Sequence, residues 1–205
     1  MRPPKLIETR PVPLAEIQIE DRLRPVSELA VESLAQSIET LVRLAASGFE
    51  VCLITEPGER KPIEAADCLG LRYAVKDRRQ PLRVSDLPWR PDLIVSAHSF
   101  RILPGWFTET AHLGAIGYHP SLLPKYPGRH AIRDCLADGA RITGGTVYWL
   151  TDKIDGGPVV IARGARLQDR VQILPGETAL GLWKRALAPL GADLLHRGAC
   201  AVLRG

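Results

Sequence analysis

The stretch Ile116–Arg129, with the sequence IGYHPSLLPKYPGR, joins an apolar run to a loop that contains three prolines. The apolar run ends at His119, so a strand is predicted to deliver an imidazole to a stiff loop. Binding and catalytic residues often lie on loops that a rigid scaffold holds in place. Two interpretations stay open at this point: His119 belongs to a pocket, or it closes a strand by hydrogen bonding to the backbone.

Short apolar runs alternate with helical patterns on both sides of this stretch. The predicted strands are residues 49–55, 71–75, 92–96, 113–118, 143–150 and 158–165. The predicted helices are residues 27–46, 62–69, 104–112, 131–138 and 177–203, the last with an interruption at Pro189. This alternation predicts an α/β domain with an open, mostly parallel, Rossmann-like sheet. The last two strands are joined too tightly for a crossover and are predicted to form an antiparallel pair.

Three loops are predicted to follow the carboxyl ends of strands, which is where open sheets of this class bind ligands. They are residues 97–103, 119–129 and 151–157. The third contains Asp155, followed by Gly156 and Gly157, which allow a sharp turn and a close approach of the backbone to a ligand. Asp155 is either an ordinary turn aspartate or a carboxylate that orients the imidazole of His119. The two residues together favour a site.

Composition narrows the class of protein. The 205 residues carry a net charge of +4 and have a pI of about 9.0, which suits an anionic substrate or weak nucleic-acid contact. The charges are dispersed rather than gathered in a basic stripe, so specific nucleic-acid binding is not expected. No run of 18 apolar residues occurs and the N-terminus lacks a signal-peptide core, so neither a membrane span nor secretion is predicted.

The four cysteines are widely spaced and form no CxxC pair. A zinc or redox motif is therefore not predicted, and no metal site is expected. Reduced, mostly buried thiols are typical of a cytoplasmic protein, which is the predicted location.

Three motifs in order resemble the folate-dependent formyltransferase family, whose members formylate glycinamide ribonucleotide or methionyl-tRNA. They are residues 119–126 (HPSLLPKY), 143–147 (TGGTV) and 151–159 (TDKIDGGPV). Residues 97–103 (AHSFRIL) resemble the family's folate-binding segment. The resemblance covers roughly residues 40–190 and implies the formyltransferase fold. It also implies transfer of a formyl group from 10-formyltetrahydrofolate to an amine.

The resemblance assigns roles to particular residues. His119 would stabilise the oxyanion of a tetrahedral intermediate or pass its proton, and Asp155 would orient that histidine and a water. The implied folate-binding residues are Phe100, Arg101, Ile102, Leu103, Thr151 and Asp152. The implied substrate-binding residues are Gly117, Ser121 and Lys125. Lys125 could face an anionic substrate or the folate tail. The alternative is that its side chain is solvated.

Two positions depart from the family's pattern. The family has an asparagine two residues before its histidine, and Gly117 stands there in this chain. Either Tyr118 or His98 replaces the missing donor, or the chain is a folate-binding regulatory module with weak or no activity. The family also opens with a strand and a glycine-rich phosphate loop, whereas this chain has no glycine before Gly48. Glycinamide ribonucleotide is therefore not the expected substrate. A different small-molecule amine is expected instead.

Residues 1–27 are predicted to be an N-terminal extension and residues 28–205 the formyltransferase-like domain. The extension contains one predicted short strand, Leu14–Ile19. Residues 11–42 weakly resemble the start of ParB-like domains, which leaves a nucleic-acid-associated protein as a third hypothesis; the alternative is a plain amphipathic helix. If the family's first strand is lost, an open sheet edge remains and favours a homodimer.

Overall fold

A computed structural model describes residues 28–97, 99 and 101–204. The helices are α1 (Glu28–Ala46), α2 (Arg60–Cys68), α3 (Gly105–Thr108), α4 (Ala131–Ala137), α5 (Ala179–Leu182) and α6 (Ala188–Arg204). The strands are β1 (Cys52–Thr55), β2 (Arg72–Val75), β3 (Ile94–Ser96), β4 (Ala115–His119), β5 (Ile142–Trp149), β6 (Ile161–Ala162), β7 (Ala165–Arg166) and β8 (Gln168–Gln172). The predicted extension, residues 1–27, lies outside the described residues, and so does the part of the ParB-like stretch 11–42 that precedes residue 28.

Parallel strands come first along the chain and antiparallel strands follow. β1 pairs in parallel with β2, and β3 pairs in parallel with β4. β5 runs antiparallel to β4 on one side and to β8 on the other, so the main sheet has the order β3-β4-β5-β8. The predicted α/β fold, with parallel strands and late antiparallel pairing, is confirmed.

The late antiparallel pairing differs in detail from the prediction. Residues 158–165 pair with β5 through the bridge between Tyr148 and Val159 and the backbone bonds around it, whereas β5 pairs along five residues with β8. Pro158 has no N–H to donate, which limits its segment as a strand. β8 has the sequence QDRVQ and lies at the edge of the sheet, so it lacks the apolar alternation that predicts a strand.

The C-terminal helical region is continuous through Pro189, where a break was predicted. A π-helical segment, Trp183–Leu187, stands directly before α6. In a regular α-helix the Pro189 ring would crowd the carbonyl four residues earlier. The wider turn, in which the Ala188 N–H reaches the Trp183 carbonyl, relieves this crowding and lets the helix continue.

The main core lies between the β4–β5 face of the sheet and the helices α1 and α6. The buried residues of this core are Leu44, Ile116, Val147, Val160, Leu167, Leu194, Leu195 and Ala199. Gly198 of α6 lets the helix approach the sheet closely, because a side-chain carbon there would stand 3.2–3.4 Å from Leu167, Val147 and Ile116. Among the helices of the described residues, none is long and apolar enough to cross a membrane.

Candidate active site

His119 is the last residue of β4 and opens the proline-rich loop. Only 5% of its surface is exposed, because the loop folds back over the imidazole. Its Nε2 atom lies 2.7 Å from the carbonyl oxygen of Tyr126. A carbonyl can only accept, so Nε2 carries a proton and donates it. The loop therefore fixes the orientation of the ring, and the backbone contact agrees with one of the two interpretations left open for His119.

Asp155 approaches His119 from the turn that follows β5. β5 is antiparallel to β4, so it ends beside the start of β4, where Trp149 pairs with Ile116. The turn after β5 then folds back onto the strand. Gly157 packs so closely against the Trp149 carbonyl oxygen that a side chain there would have no room. Asp155 itself adopts a φ of 51°, a left-handed conformation that aspartate tolerates better than most residues. The glycine-rich turn is what brings this carboxylate back to His119.

Two donors hold the Asp155 carboxylate. The Gly128 N–H donates to Oδ2 at 2.7 Å, and the Tyr148 hydroxyl donates to Oδ1 at 2.7 Å. Oδ2 also lies 3.4 Å from His119 Nδ1, and the two side chains are only 7% and 11% exposed. The structure thus brings together the two residues that the sequence paired.

This arrangement determines what the imidazole can do. With Nε2 donating to Tyr126, the neutral ring presents a lone pair from Nδ1 toward the Asp155 carboxylate. A ring that is protonated at both nitrogens instead donates from Nδ1, either to Asp155 or to an oxygen placed between them. The pair is therefore suited to holding a proton at Nδ1 and offering it to a developing negative charge.

Tyr148 is a site residue that the sequence analysis missed. Burial raises its pKa above the usual tyrosine range, and the hydrogen bond to Asp155 raises it further, so the phenol is a donor at neutral pH. Its position on β5, directly opposite Gly117, depends on strand register that the sequence does not display. The alternation of residues 143–150 does place Thr146 and Tyr148 on one face, and that signal was available.

Tyr118 does not replace the asparagine of the family's pattern. Successive residues of a strand point to opposite faces, so Tyr118 points away from His119 and Gly117. Its hydroxyl donates to the Leu187 carbonyl at 2.8 Å. His98, the other suggested substitute, lies outside the described residues.

Gly117 is buried in the middle of β4, and its neighbour Leu150 fills the adjacent space. A side-chain carbon at Gly117 would stand 2.8 Å from Leu150 Cδ2 and 3.7 Å from Tyr148 Cε1. An apolar methyl group therefore lies beside the position where the resemblance implies an asparagine.

A buried network fixes the loop between His119 and Lys125. Thr146 on β5 donates to the Ser121 carbonyl at 2.6 Å and accepts from the Leu123 N–H at 3.1 Å. Ser121 is fully buried, and its hydroxyl donates to the Lys125 carbonyl at 2.5 Å. Of the predicted substrate-binding residues, Ser121 thus bonds to its own loop, while Lys125 is exposed.

The predicted folate-binding residues lie in two neighbouring places. Thr151 and Asp152 line a cavity of about 300 Å³ beside the start of β4. Gly105 and Thr108 of α3 form another wall of this cavity, and α3 comes directly after the predicted segment Arg101–Leu103.

The residues of that segment have different environments. The Arg101 guanidinium donates to the carbonyls of Lys76 and Gln80, at 3.1 and 2.8 Å. Ile102 is 74% exposed, and Leu103 lines a second cavity beside β3. Phe100 lies outside the described residues. No cluster of three or more histidine, cysteine or acidic side chains that could hold a metal occurs among residues 28–97, 99 and 101–204.

Comparisons with known proteins agree with this fold. A family model described as "Formyl transferase" matches residues 61–195. Phosphoribosylglycinamide formyltransferase of Escherichia coli (strain K12) is 39% identical over 90 residues, which cover 44% of this chain and 40% of that protein. Methionyl-tRNA formyltransferase of Chlorobium chlorochromatii (strain CaD3) is 31% identical over 176 residues, covering 78% of this chain and 53% of that protein. The chain thus spans about half, or less, of the length of these relatives.

Solved structures show the same fold. Phosphoribosylglycinamide formyltransferase from Anaplasma phagocytophilum superposes with a TM-score of 0.62 and 26% identity, covering 85% of this chain and 82% of that one. The corresponding enzyme from Bacillus halodurans gives a TM-score of 0.63 at 22% identity, covering 80% and 90%.

Proposed function

This chain belongs to the formyl transferase family, and we propose that it moves a formyl group from 10-formyltetrahydrofolate to the amine of a small-molecule acceptor. The observation that carries the proposal is the buried pair of His119 and Asp155, with Nδ1 and Oδ2 at 3.4 Å. The family membership supports the formyl donor. The acceptor and the roles of individual residues are assigned from the geometry and the resemblance.

The proposed chemistry is acyl transfer through a tetrahedral intermediate. The folate supplies the formyl carbon, and the acceptor amine loses one proton as its nitrogen bonds to that carbon. His119 donates from Nδ1 toward the carbonyl oxygen as negative charge develops there. Asp155 stabilises the protonated ring until the carbonyl re-forms and the bond between the formyl carbon and the folate nitrogen breaks. The proton that the amine loses ends on the folate nitrogen that leaves, so the step is balanced.

Asp155 can perform this role because its position is fixed independently of His119. Gly128 and Tyr148 donate to its two oxygens, so the carboxylate does not have to reorganise when the ring changes protonation. A group that is aligned before the reaction contributes more than one that must move during it.

The cavity beside α3 supports the proposed folate site. Trp149 and Leu150 give it apolar walls, while Thr151 and Asp152 add polar groups at its rim. Ligand pockets generally combine apolar walls with a few polar groups that orient the ligand. We assign Thr151 and Asp152, with the neighbouring segment Arg101–Leu103, to this role. Gly117, Ser121 and Lys125 are assigned to the acceptor side, with Lys125 supplying the exposed charge.

A second candidate function is a folate-binding module that does not turn over. The observation that favours it is the Leu150 methyl group beside Gly117, which leaves that position without a donor for the oxyanion. Loss of one such donor typically lowers the rate on the order of 10²–10³-fold. Measurable turnover distinguishes the two functions.

The test is a transfer assay with 10-formyltetrahydrofolate labelled in its formyl group and a panel of amino sugars and nucleotide-linked amines. The expected result is label in an acceptor, with His119→Ala lowering the rate by about 10²–10⁴-fold, the usual contribution of a positioned acid or base. His112→Ala is the matched control, because His112 is exposed and precedes β4, whereas His119 ends that strand.

Folate binding, measured in parallel by calorimetry, distinguishes the two candidate functions when no transfer is seen. Tight folate binding without transfer to any amine would support the second candidate. The absence of both folate binding and formyl transfer would refute the proposal. Transfer that is unchanged in His119→Ala would refute the role assigned to that residue.

A further inference from the structure

The cavity assigned to folate and the pair of His119 and Asp155 lie at opposite ends of β4. Ala115, the first residue of this strand, lines the cavity, and His119 is its last residue. Side chains alternate between the faces of a strand, so Ala115, Gly117 and His119 share one face, with Gly117 midway. The distance from end to end is about 13 Å. A formyl group on a folate in the cavity must therefore lie over Gly117 to come within reach of the pair.

Leu150 covers this midpoint. Gly117 is buried, and a side-chain carbon there would stand 2.8 Å from Leu150 Cδ2 and 3.6 Å from Leu150 Cγ. Leu150 also lines the folate cavity. One isobutyl group thus borders both the cavity and the space over Gly117, and it forms an apolar wall between them.

The neighbours of Leu150 leave its side chain to set the size of this space. The Leu150 N–H donates to the Ala115 carbonyl at 2.8 Å, which continues the antiparallel ladder of β4 and β5 and fixes the backbone. The Tyr148 ring approaches a side-chain carbon at Gly117 to 3.7 Å, and its hydroxyl is bonded to Asp155. Because Tyr148 is held and glycine has no side chain, the room over Gly117 depends on Leu150.

The two small substituents of a formyl carbon need different surroundings. The oxygen accepts hydrogen bonds and gains negative charge during transfer, so it belongs beside a donor, whereas the hydrogen needs only an apolar contact. The site offers one of each, at His119 Nδ1 and at the Leu150 methyl group over Gly117. A formyl group turned the other way would press its oxygen against the methyl group without a partner, which is costly in a buried site.

We infer that Leu150 is a positioning residue that orients the formyl group and restricts the transferred acyl group to one carbon. The inference rests on the proposed formyl transfer. With the formyl hydrogen against the Leu150 methyl group, the oxygen faces the His119 donor. A larger acyl group would bring a methyl group into the space that Leu150 fills. Shape then orients the group at the position where the resemblance implies an asparagine.

Calorimetry with 10-formyltetrahydrofolate and 10-acetyltetrahydrofolate, in the absence of oxygen, tests the inference without an acceptor. The unmodified chain should bind the formyl compound at least about tenfold more tightly, which is the lower end of the usual discrimination for one methylene group. Leu150→Ala should bring the two Kd values to within about threefold, because it removes the group that the acetyl methyl would meet.

Leu122→Ala is the matched control. Leu122 Cδ2 would stand 2.6 Å from a side-chain carbon at Gly144, so this leucine covers a glycine of β5 much as Leu150 covers Gly117. Gly144 lies beyond the part of β5 that pairs with β4, so the control should keep the Kd ratio of the unmodified chain. The ratio is taken within each variant, so a partial loss of folded protein affects both measurements alike.

The possible results separate the inference from the proposed function. A Kd ratio in Leu150→Ala equal to that of the unmodified chain would overturn the inference and leave the proposed function standing. Equal binding of the two compounds by the unmodified chain would do the same. If the chain binds neither compound, the proposed function is refuted and the inference falls with it.

The transfer assay gives a second readout once it has identified an acceptor. Leu150→Ala should lower kcat by about 10–10²-fold and change the KM for folate much less, because a misplaced reacting group slows the chemical step. Leu150→Met, which nearly conserves volume, should keep most of the activity. Gly117→Asn should restore part of the lost kcat when it is combined with Leu150→Ala, which gives it room. An unchanged kcat in Leu150→Ala, or an effect on KM alone, would overturn the orienting role.

Discussion

Two regions of the molecule, β4 with β5 and β1 with β3, differ in how their strands are paired among the described residues. β4 and β5 each have a strand on both sides, and their apolar side chains are buried under α1 and α6. β1 and β3 each have one paired edge among the described residues, and most of their side chains are partly buried. His119 and Tyr148 lie on β4 and β5, in the fully paired half. A buried proton-holding pair needs fixed neighbours, and a doubly paired strand provides them.

The largest effect on stability is expected in the fully paired half. Ile116→Ala removes a side chain with no exposed surface from the centre of the core. It should lower the free energy of unfolding by about 2–5 kcal/mol, the usual range for such a truncation. Urea unfolding followed by circular dichroism measures it.

Ile142→Ala is the matched control for this prediction. Ile142 begins β5 and is 53% exposed, so its truncation should change the free energy of unfolding by less than about 0.5 kcal/mol. Similar effects for the two variants would show that burial of Ile116 in the core does not stabilise the fold.

The same contrast explains what could be predicted from the sequence. β4, the loop after it and the Asp155 turn carry strong local signals: an apolar run, three prolines and two glycines. Their elements were placed within a few residues of the observed bounds, and His119 and Asp155 were correctly expected to lie together. Local chemistry dictates these features, so one sequence is enough to find them.

Features that depend on distant partners were missed. β8 is polar and lies at the edge of the sheet that the described residues form, and its pairing with β5 makes it a strand. Tyr148 becomes a partner of Asp155 only through the antiparallel register of β4 and β5. The methyl group beside Gly117 comes from Leu150, 33 positions further along the chain. Sheet order and register decide all three, and neither is encoded in a local pattern.

Tyr148→Phe tests whether the paired half also holds the chemistry in place. It removes one of the two donors to Asp155, and a hydrogen bond to a charged group contributes on the order of 1.5–3 kcal/mol. We expect formyl transfer to fall about tenfold or more. The pKa of Tyr148 is raised, so the folded state favours the neutral phenol. Its contribution to stability is therefore complete below pH ~10 and is lost as the pH rises above that value.

Tyr118→Phe is the control, because Tyr118 is also a buried donor with a raised pKa but bonds to Leu187 on the opposite face. It should lower stability while leaving transfer unchanged. Equal transfer rates for the two variants would remove Tyr148 from the site. A drop in stability above pH ~10 that persists unchanged in Tyr148→Phe would show that this phenol does not contribute to it.

A chemical rather than an energetic effect is expected at the Cys52 thiol of β1, a strand that is paired on one side among the described residues. Burial raises its pKa from 9.0 to about 11, with Glu50 also raising it and Arg72 opposing the change. Because the thiolate is the reactive form, alkylation at pH 8 should be about a hundredfold slower than for an exposed thiol of pKa 9. The rate should keep rising about tenfold per pH unit up to pH ~10. Mass spectrometry of alkylated peptides measures it, and a plateau near pH 9 would show that Cys52 is as accessible to water as an unfolded thiol.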